Sequence, residues 1–111
     1  MERFVKGDVV VLPFPFSDLS SSKKRPALVL ADLQTDDVIL CQITSQFVKD
    51  NYSVELNVSD FNRGSLNKVS NIRPNRLFTA DKRIIVRTVG TVKPEIFKKV
   101  TETLFEIIGQ G

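Results

Sequence analysis

Arg25 closes the basic run Lys23-Lys24-Arg25, stands directly before Pro26, and leads into the apolar stretch Ala27-Leu28-Val29-Leu30. Proline fixes its own φ and pushes the residue before it toward extended backbone. The β-favouring run that follows anchors the arginine at the mouth of a buried strand. A guanidinium held in this way suits a phosphate, because its fork of donors stays charged at any workable pH. Two further polar clusters interrupt apolar runs: Thr44-Ser45-Gln46 after residues 38–43, and Ser70-Asn71-Ile72-Arg73-Pro74-Asn75-Arg76 at the close of a run that starts at Lys68. Polar groups at strand ends commonly line a shared groove on a rigid scaffold. The sequence contains no histidine, which removes the usual general acid and base near neutrality. Any phosphate chemistry must therefore run on arginine, hydroxyl, and carboxamide or carboxylate groups.

Strands have to carry these groups. Val9-Val10-Val11-Leu12 opens at a Gly7-Asp8 turn, and Pro13-Phe14-Pro15-Phe16 is expected to stop it by removing two ladder donors. A serine-rich loop over 14–24 then leads to a strand at 27–31, a turn at 33–37 and a strand at 38–43. Val54-Glu55-Leu56-Asn57-Val58 alternates with period two and predicts a half-buried strand. Residues 59–64 are turn-rich with room for one helical turn, and further strands are expected at 68–72 and 84–89. Pro94 fits a first helical position and Glu95 favours the positive helix end. Phe97, Val100, Leu104, Ile107 and Ile108 then recur at helical spacing, with Gly109 as the stop. The expected fold is mainly β, a small antiparallel barrel closed by a C-terminal amphipathic helix.

The 111 residues suffice for one domain with a single core, taken as 1–111. Hydrophobic residues at 41% and charged residues at 26% fit a soluble globular chain and argue against a disordered one. Apolar runs fall far short of the ~20 residues needed to cross a bilayer, so no membrane role is expected. The lone Cys41 reads as a small buried apolar residue in a reducing cytoplasm, and Met1-Glu2-Arg3-Phe4 does not resemble a signal peptide. One Cys and no His leave a structural zinc site without donors, so no metal is expected. Net charge is only +3, yet residues 61–87 carry Arg63, Lys68, Arg73, Arg76, Lys82, Arg83 and Arg87 against Asp81 alone. That seven-to-one excess points to a surface that meets polyanions. A solvated face matched by Asp32, Asp36 and Asp37 is the plainer alternative. A direct DNA reader is disfavoured: no helix-turn-helix pattern is visible, and the C-terminal helix mixes Lys98 and Lys99 with Glu95, Glu102 and Glu106.

The ordered set Lys6-Gly7-Asp8-Val9-Val10, Pro13-Phe14, Lys24-Arg25-Pro26-Ala27-Leu28-Val29, Ile43-Thr44-Ser45 and Ser70-Asn71-Ile72-Arg73 resembles the MazF/PemK toxins of bacterial type II toxin–antitoxin pairs. Gly90 followed by an amphipathic helix is similar to that family's C-terminal end, so the likeness spans nearly the whole chain. The resemblance implies an SH3-like barrel of the MazF/CcdB-like toxin fold that forms a homodimer. It implies a metal-independent, cofactor-free endoribonuclease that cuts single-stranded mRNA at short sequences. It also implies a cognate antitoxin whose flexible acidic tail occupies the RNA groove, with DNA met only through that antitoxin.

Carried across by position, Arg25 matches the family's phosphate-gripping arginine, Thr44 its active-site hydroxyl, and Arg73 a second arginine that some members use as acid or charge stabiliser, here to assist the leaving oxygen or the phosphate. Lys24, Ser45, Gln46, Ser70, Asn71, Asn75 and Arg76 are expected to line the RNA groove. Phe14 or Phe16 would offer a base a stacking face, with core or dimer packing as the alternative for each. The implied reaction is attack of the RNA 2′-hydroxyl on the adjacent phosphate, leaving a 2′,3′-cyclic phosphate and a 5′-hydroxyl. Some members carry an Asp base two residues after the second arginine; this chain has Asn75, which takes no proton at neutral pH. The other reading of the same fold is a protein that does not cleave: a binder of RNA or antitoxin, or a CcdB-like inhibitor of gyrase.

Overall fold

Runs that are apolar at every position, rather than at every second one, belong to strands buried on both faces. Three such runs form the centre of the sheet: β1 (Asp8–Phe14), β2 (Lys23–Asp32) and β3 (Asp37–Thr44). The structure, a computed structural model, describes residues 3–14 and 23–109. Four more strands, β4 (Val54–Leu56), β5 (Phe61–Gly64), β6 (Ser70–Asp81) and β7 (Arg87–Val92), complete one seven-stranded sheet in the order β4-β6-β3-β2-β1-β7-β5. Every paired neighbour is antiparallel. On one face Val9, Leu28, Cys41, Ile43 and Ile72 pack with Ile96 and Val100 of the helix α1 (Pro94–Gly109). On the other, Val10, Leu12, Val29, Val38, Leu40 and Ala80 form a second core with Phe4.

The two edge strands, β4 and β5, are joined by the short turn Val58–Asp60, and Leu56 and Phe61 both enter the helix-side core. The sheet therefore curls into a half-barrel with α1 packed on one face, a mainly β fold with a C-terminal helix as expected. Hydrogen bonds to Asp60 hold that closure: the Asn57 N–H donates to the Asp60 carboxylate at 2.7 Å, and the Lys93 N–H donates to the Asp60 backbone carbonyl at 2.8 Å. The helix buries Ile96 and Val100, with Phe97 and Leu104 partly covered, whereas Ile108 is exposed. The Lys6-Gly7-Asp8 motif has a structural reason as well. Gly7 takes φ +95°, and the buried Asp8 accepts the Val5 N–H and the Thr91 hydroxyl, both at 3.0 Å. No helix among the described residues is long and apolar enough to cross a membrane.

Several strand boundaries differ from the sequence reading. β1 continues through Pro13 to Phe14, because its ladder with β7 covers only Asp8 to Val11 and asks no N–H of the proline. The alternating run at 54–58 stops at Leu56, where Val58–Asp60 turns the chain, and part of the turn-rich stretch forms β5. The strand expected at 84–89 shifts to Arg87–Val92, since Lys82–Ile84 makes a 3-10 turn capped by the Asp81 side chain. The short strand expected at 68–72 is the start of the 12-residue β6. Its register against β3 runs Cys41↔Leu77 and then Gln42↔Arg73, so Pro74, Asn75 and Arg76 bulge out unmatched. The bulge accommodates a proline with no ladder bond to lose, and the Pro74 ring is fully buried.

A clamp outside the ladder fixes the end of β2. Lys82 Nζ lies 2.8 Å from Asp32 Oδ1, with side chains 8% and 13% exposed, and Asp32 also accepts the N–H groups of Gln34 and Phe4. The Lys82 hydrogen bond, then that of Gln34, holds the Asp32 carboxyl at about 2, below its ordinary 3.8. A carboxyl depressed by folding contributes its full stability above the unfolded value and loses it as pH falls through the folded one.

Leu28, fully buried between β1 and β3, is the test of the central core. Leu28→Ala is expected to cost roughly 2–5 kcal/mol, read as a lower urea midpoint at unchanged slope. For the clamp, Asp32→Asn should lower the melting temperature at pH 7 and flatten the loss of stability that the natural chain shows from about pH 3.8 down to about 2. A loss of stability as steep in acid as that of the natural chain would remove Asp32 from that account.

Candidate functional site

The start of β2, the end of β3 and the loop before β6 meet around a cleft of about 240 Å³. Pro26, Ile43 and Leu66 give it an apolar floor; Arg25, Thr44, Ser45, Asn67, Lys68 and Ser70 give it a polar rim. Among the described residues no carboxylate lines it, and neither Arg25 nor Lys68 enters an ion pair. Two uncompensated cations over hydroxyls and a carboxamide suit an anion. A larger cavity of about 520 Å³ lies between β4 and α1, but Glu55, Asp60, Glu102 and Glu106 line it with Lys99 as the only cation among the described residues. Its charge is wrong for a phosphate, whereas the smaller cleft brings Arg25 and Lys68 together with the Thr44 hydroxyl and is the candidate.

Local hydrogen bonds pre-set the rim. Thr44 Oγ1 accepts the Gln46 N–H at 3.1 Å, which leaves the hydroxyl proton free to be donated elsewhere. Asn71, directly across the ladder from Thr44, donates from Nδ2 to the Gln46 carbonyl at 3.3 Å. The buried Ser70 donates its hydroxyl proton to the Lys68 carbonyl at 3.0 Å and so shapes the loop that brings Lys68 to the cleft. Arg25 is exposed and sits across from Leu12 of β1, ahead of the β2–β3 ladder, which begins at Ala27. Pro26 therefore removes no donor from that ladder.

A second cluster adjoins the first. Arg73 lies opposite Gln42, two residues from Asn71 and on the same face of β6, a step of about 7 Å. Its Nη2 is 3.0 Å from Asp50 Oδ2, and Asn75 Nδ2 donates to that same oxygen at 3.3 Å. Asp50 Oδ1 accepts the Tyr52 N–H at 3.0 Å. The Tyr52 hydrogen bond, then those of Arg73 and Asn75, keeps the Asp50 carboxyl below its ordinary value despite partial burial that opposes the shift. Arg73 Nε is buried without a hydrogen-bond partner among the described residues.

The residues singled out from sequence thus fall into distinct places. Arg25, Thr44, Ser45 and Ser70 share the cleft, and Gln46 and Asn71 brace its wall. Arg73 and Asn75 form the Asp50 cluster beside it. Lys24, across from Pro13, and Arg76, in the bulge, are exposed. Phe14 packs on Phe78 with ring centroids 5.6 Å apart, while Phe16 lies outside the described residues. Sequence reasoning did not place Leu66, Asn67 or Lys68 at the site, although Lys68 belongs to the basic stretch. It gave no sign of Asp50, whose partners lie 23 and 25 residues away.

A model of the family described as PemK-like, MazF-like toxin of type II toxin–antitoxin system matches residues 5–108. Among solved structures, the chain is similar to MazE–MazF (Form III) from Deinococcus radiodurans, with a TM-score of 0.76 at 20% identity over 95% of both chains. It is similar to an endoribonuclease in complex with its cognate antitoxin from a mycobacterial species, with a TM-score of 0.75 at 17% identity over 100% of this chain and 98% of that one. The Mycobacterium tuberculosis toxin MazF-mt6 follows, with a TM-score of 0.69 at 16% identity over 92% and 98%. At these identities the shared property is the fold. No curated protein sequence matches the chain.

Proposed function

The chain belongs to the PemK-like, MazF-like toxin family of type II toxin–antitoxin systems, and on that premise we propose that it is a metal-independent endoribonuclease acting on single-stranded RNA at the Arg25–Thr44 cleft. The observation that carries this reading is the convergence of Arg25, Lys68 and Thr44 on one cleft that no carboxylate among the described residues lines. Solved relatives of the same fold include proteins described as endoribonucleases.

The chemistry needs no histidine. The RNA 2′-oxygen attacks the adjacent phosphorus, forming the P–O2′ bond and losing its proton, while the P–O5′ bond breaks and the 5′-oxygen takes up a proton. The products are a 2′,3′-cyclic phosphate and a 5′-hydroxyl. Arg25 offsets the charge that gathers on the non-bridging oxygens, and such preorganised donors give the largest catalytic effects where charge develops. The Thr44 hydroxyl, its oxygen already held by the Gln46 N–H, donates its proton to the same oxygens. Lys68 draws the strand in, and Arg73 supplies positive charge beside the leaving oxygen. A guanidinium is too weak an acid to give up its proton here, so its role is electrostatic.

The partners follow from the same charges. An antitoxin with an acidic segment would compete with RNA for Arg25 and Lys68, and a mycobacterial relative has been solved with its cognate antitoxin. A homodimer acting in the cytoplasm completes the reading, with exposed apolar side chains such as Leu77, Ile84 and Val86 to supply contact surface.

Incubation of the protein with a long unstructured RNA in EDTA should yield discrete fragments bearing 5′-hydroxyl ends. Arg25→Ala should lower the cleavage rate by about 10²–10³-fold with unchanged circular dichroism. Intact RNA together with inhibition of gyrase would replace this reading with that of a non-cleaving toxin. Lys68→Ala should weaken RNA binding evenly across sequences and reduce the slope of log affinity against log salt by about 0.7, the loss of one phosphate contact on a single strand. An unaltered slope would place Lys68 off the RNA path.

A further inference from the structure

An arginine needed at one point beside a phosphate must be held there, because its long side chain carries substantial rotamer freedom. Arg73 rises from β6, and beyond its own strand the anchor for its guanidinium is Asp50, at 3.0 Å from Nη2. Asp50 comes from the β3–β4 connection and is fixed on two sides, by the Tyr52 N–H on Oδ1 and by Asn75 Nδ2 on Oδ2. Both partners of the pair are largely buried, with side chains 18% and 25% exposed. The cluster therefore holds one carboxylate, one guanidinium and one carboxamide, each aimed at another.

Resting on the ribonuclease reading above, we infer that Asp50 is the positioning residue for Arg73, and that Asn75 completes this arrangement as a neutral donor to Asp50. Residue 75 stands in the three-residue bulge one position beyond Pro74, whose buried ring and fixed φ aim it back at the cluster. A carboxylate at 75 would lie about 3.3 Å from that of Asp50, and two carboxylates so close do not both stay ionised without cost. The amide at 75 and the acid at 50 are thus matched parts of one device: the acid holds the guanidinium, and the amide holds the acid. The geometry also places this device outside the Arg25–Thr44 cleft, one ladder step away on β6. It acts on the reaction through the direction of Arg73 and does not touch the 2′-hydroxyl.

The test compares the natural chain with Asp50→Asn, Asn75→Asp and the double exchange Asp50→Asn/Asn75→Asp, measuring kcat and KM for cleavage of an unstructured RNA oligonucleotide, with thermal melts alongside. Asp50→Asn is expected to lower kcat roughly 10- to 100-fold, as small misplacements of a catalytic group do, without raising KM. Asn75→Asp should also lower kcat, and the double exchange should recover most of the loss because it restores one acid and one amide. A kcat within twofold of the natural chain for Asp50→Asn overturns the inference. So does a loss that the double exchange leaves in place, or one that tracks a fall in melting temperature. A gain in kcat/KM for Asp50→Asn would mean that Asp50 blocks Arg73 from RNA, and equally overturns it. Absence of cleavage by the natural chain itself would sink the ribonuclease reading and this inference with it; where the natural chain does cleave, the variants report on Asp50 alone.

Discussion

Burial of the central strands on both faces is the constraint from which the rest of the molecule follows. Along β1, β2 and β3, one face meets α1 and the other meets Phe4 and Ala80, and within these runs Gln42 of β3 is a half-buried polar exception. The other polar side chains of the cleft stand where these runs end. Arg25 precedes the buried run of β2, and Thr44 terminates that of β3. Because β2 and β3 are antiparallel, the start of one and the end of the other lie side by side. Arg25 and Thr44 are thereby brought to one cleft by the strands themselves, and the loop before β6 adds Lys68.

The bulge in β6 extends the same logic to a third strand. A regular β6 would have kept every residue from Ser70 to Asp81 in step with β3. Three unmatched residues instead let Pro74 turn inward and put Asn75 beside Asp50. A β-bulge next to a functional site commonly re-aims one side chain while leaving the ladder on either side intact. The regular registers Gln42↔Arg73 to Thr44↔Asn71 and Asp37↔Asp81 to Cys41↔Leu77 show that the ladder resumes on both sides here.

Much of this was legible in the sequence. Arg25 and Thr44 announced themselves as polar residues breaking into apolar runs, and the helix was written in its 3.6-residue spacing and in Pro94 and Gly109. Where the reading failed, a tertiary partner had overridden a local signal. Pro13 reads as a strand stop only if both of its sides need hydrogen bonds, and one does not. Pro74 reads as the end of a strand until the partner strand is known to tolerate a bulge. β5 hides in a stretch of turn residues because its pairing with β7 brings Gly64 opposite Gly90, a close approach that a side chain on Gly90 would block against the Arg63 carbonyl and then the Phe61 ring. Asp50 sits between Lys49 and Asn51 in a polar connection, and nothing local distinguishes it from a solvated loop acid. Its meaning lies in contacts with Arg73 and Asn75, 23 and 25 residues farther along the chain.

Cys41, one member of the helix-side core, also has a practical side. It lies on β3 between Leu28 of β2 and Leu77 of β6, and burial pushes its thiol up to about 12. At neutral pH the buried thiol stays protonated, so a thiol reagent finds little to attack while the sheet is closed. As the sole cysteine of the chain, it serves as a built-in clock. The pace at which an alkylating reagent consumes it in the native protein records how often β2, β3 and β6 part, with no added label to disturb the strands being watched.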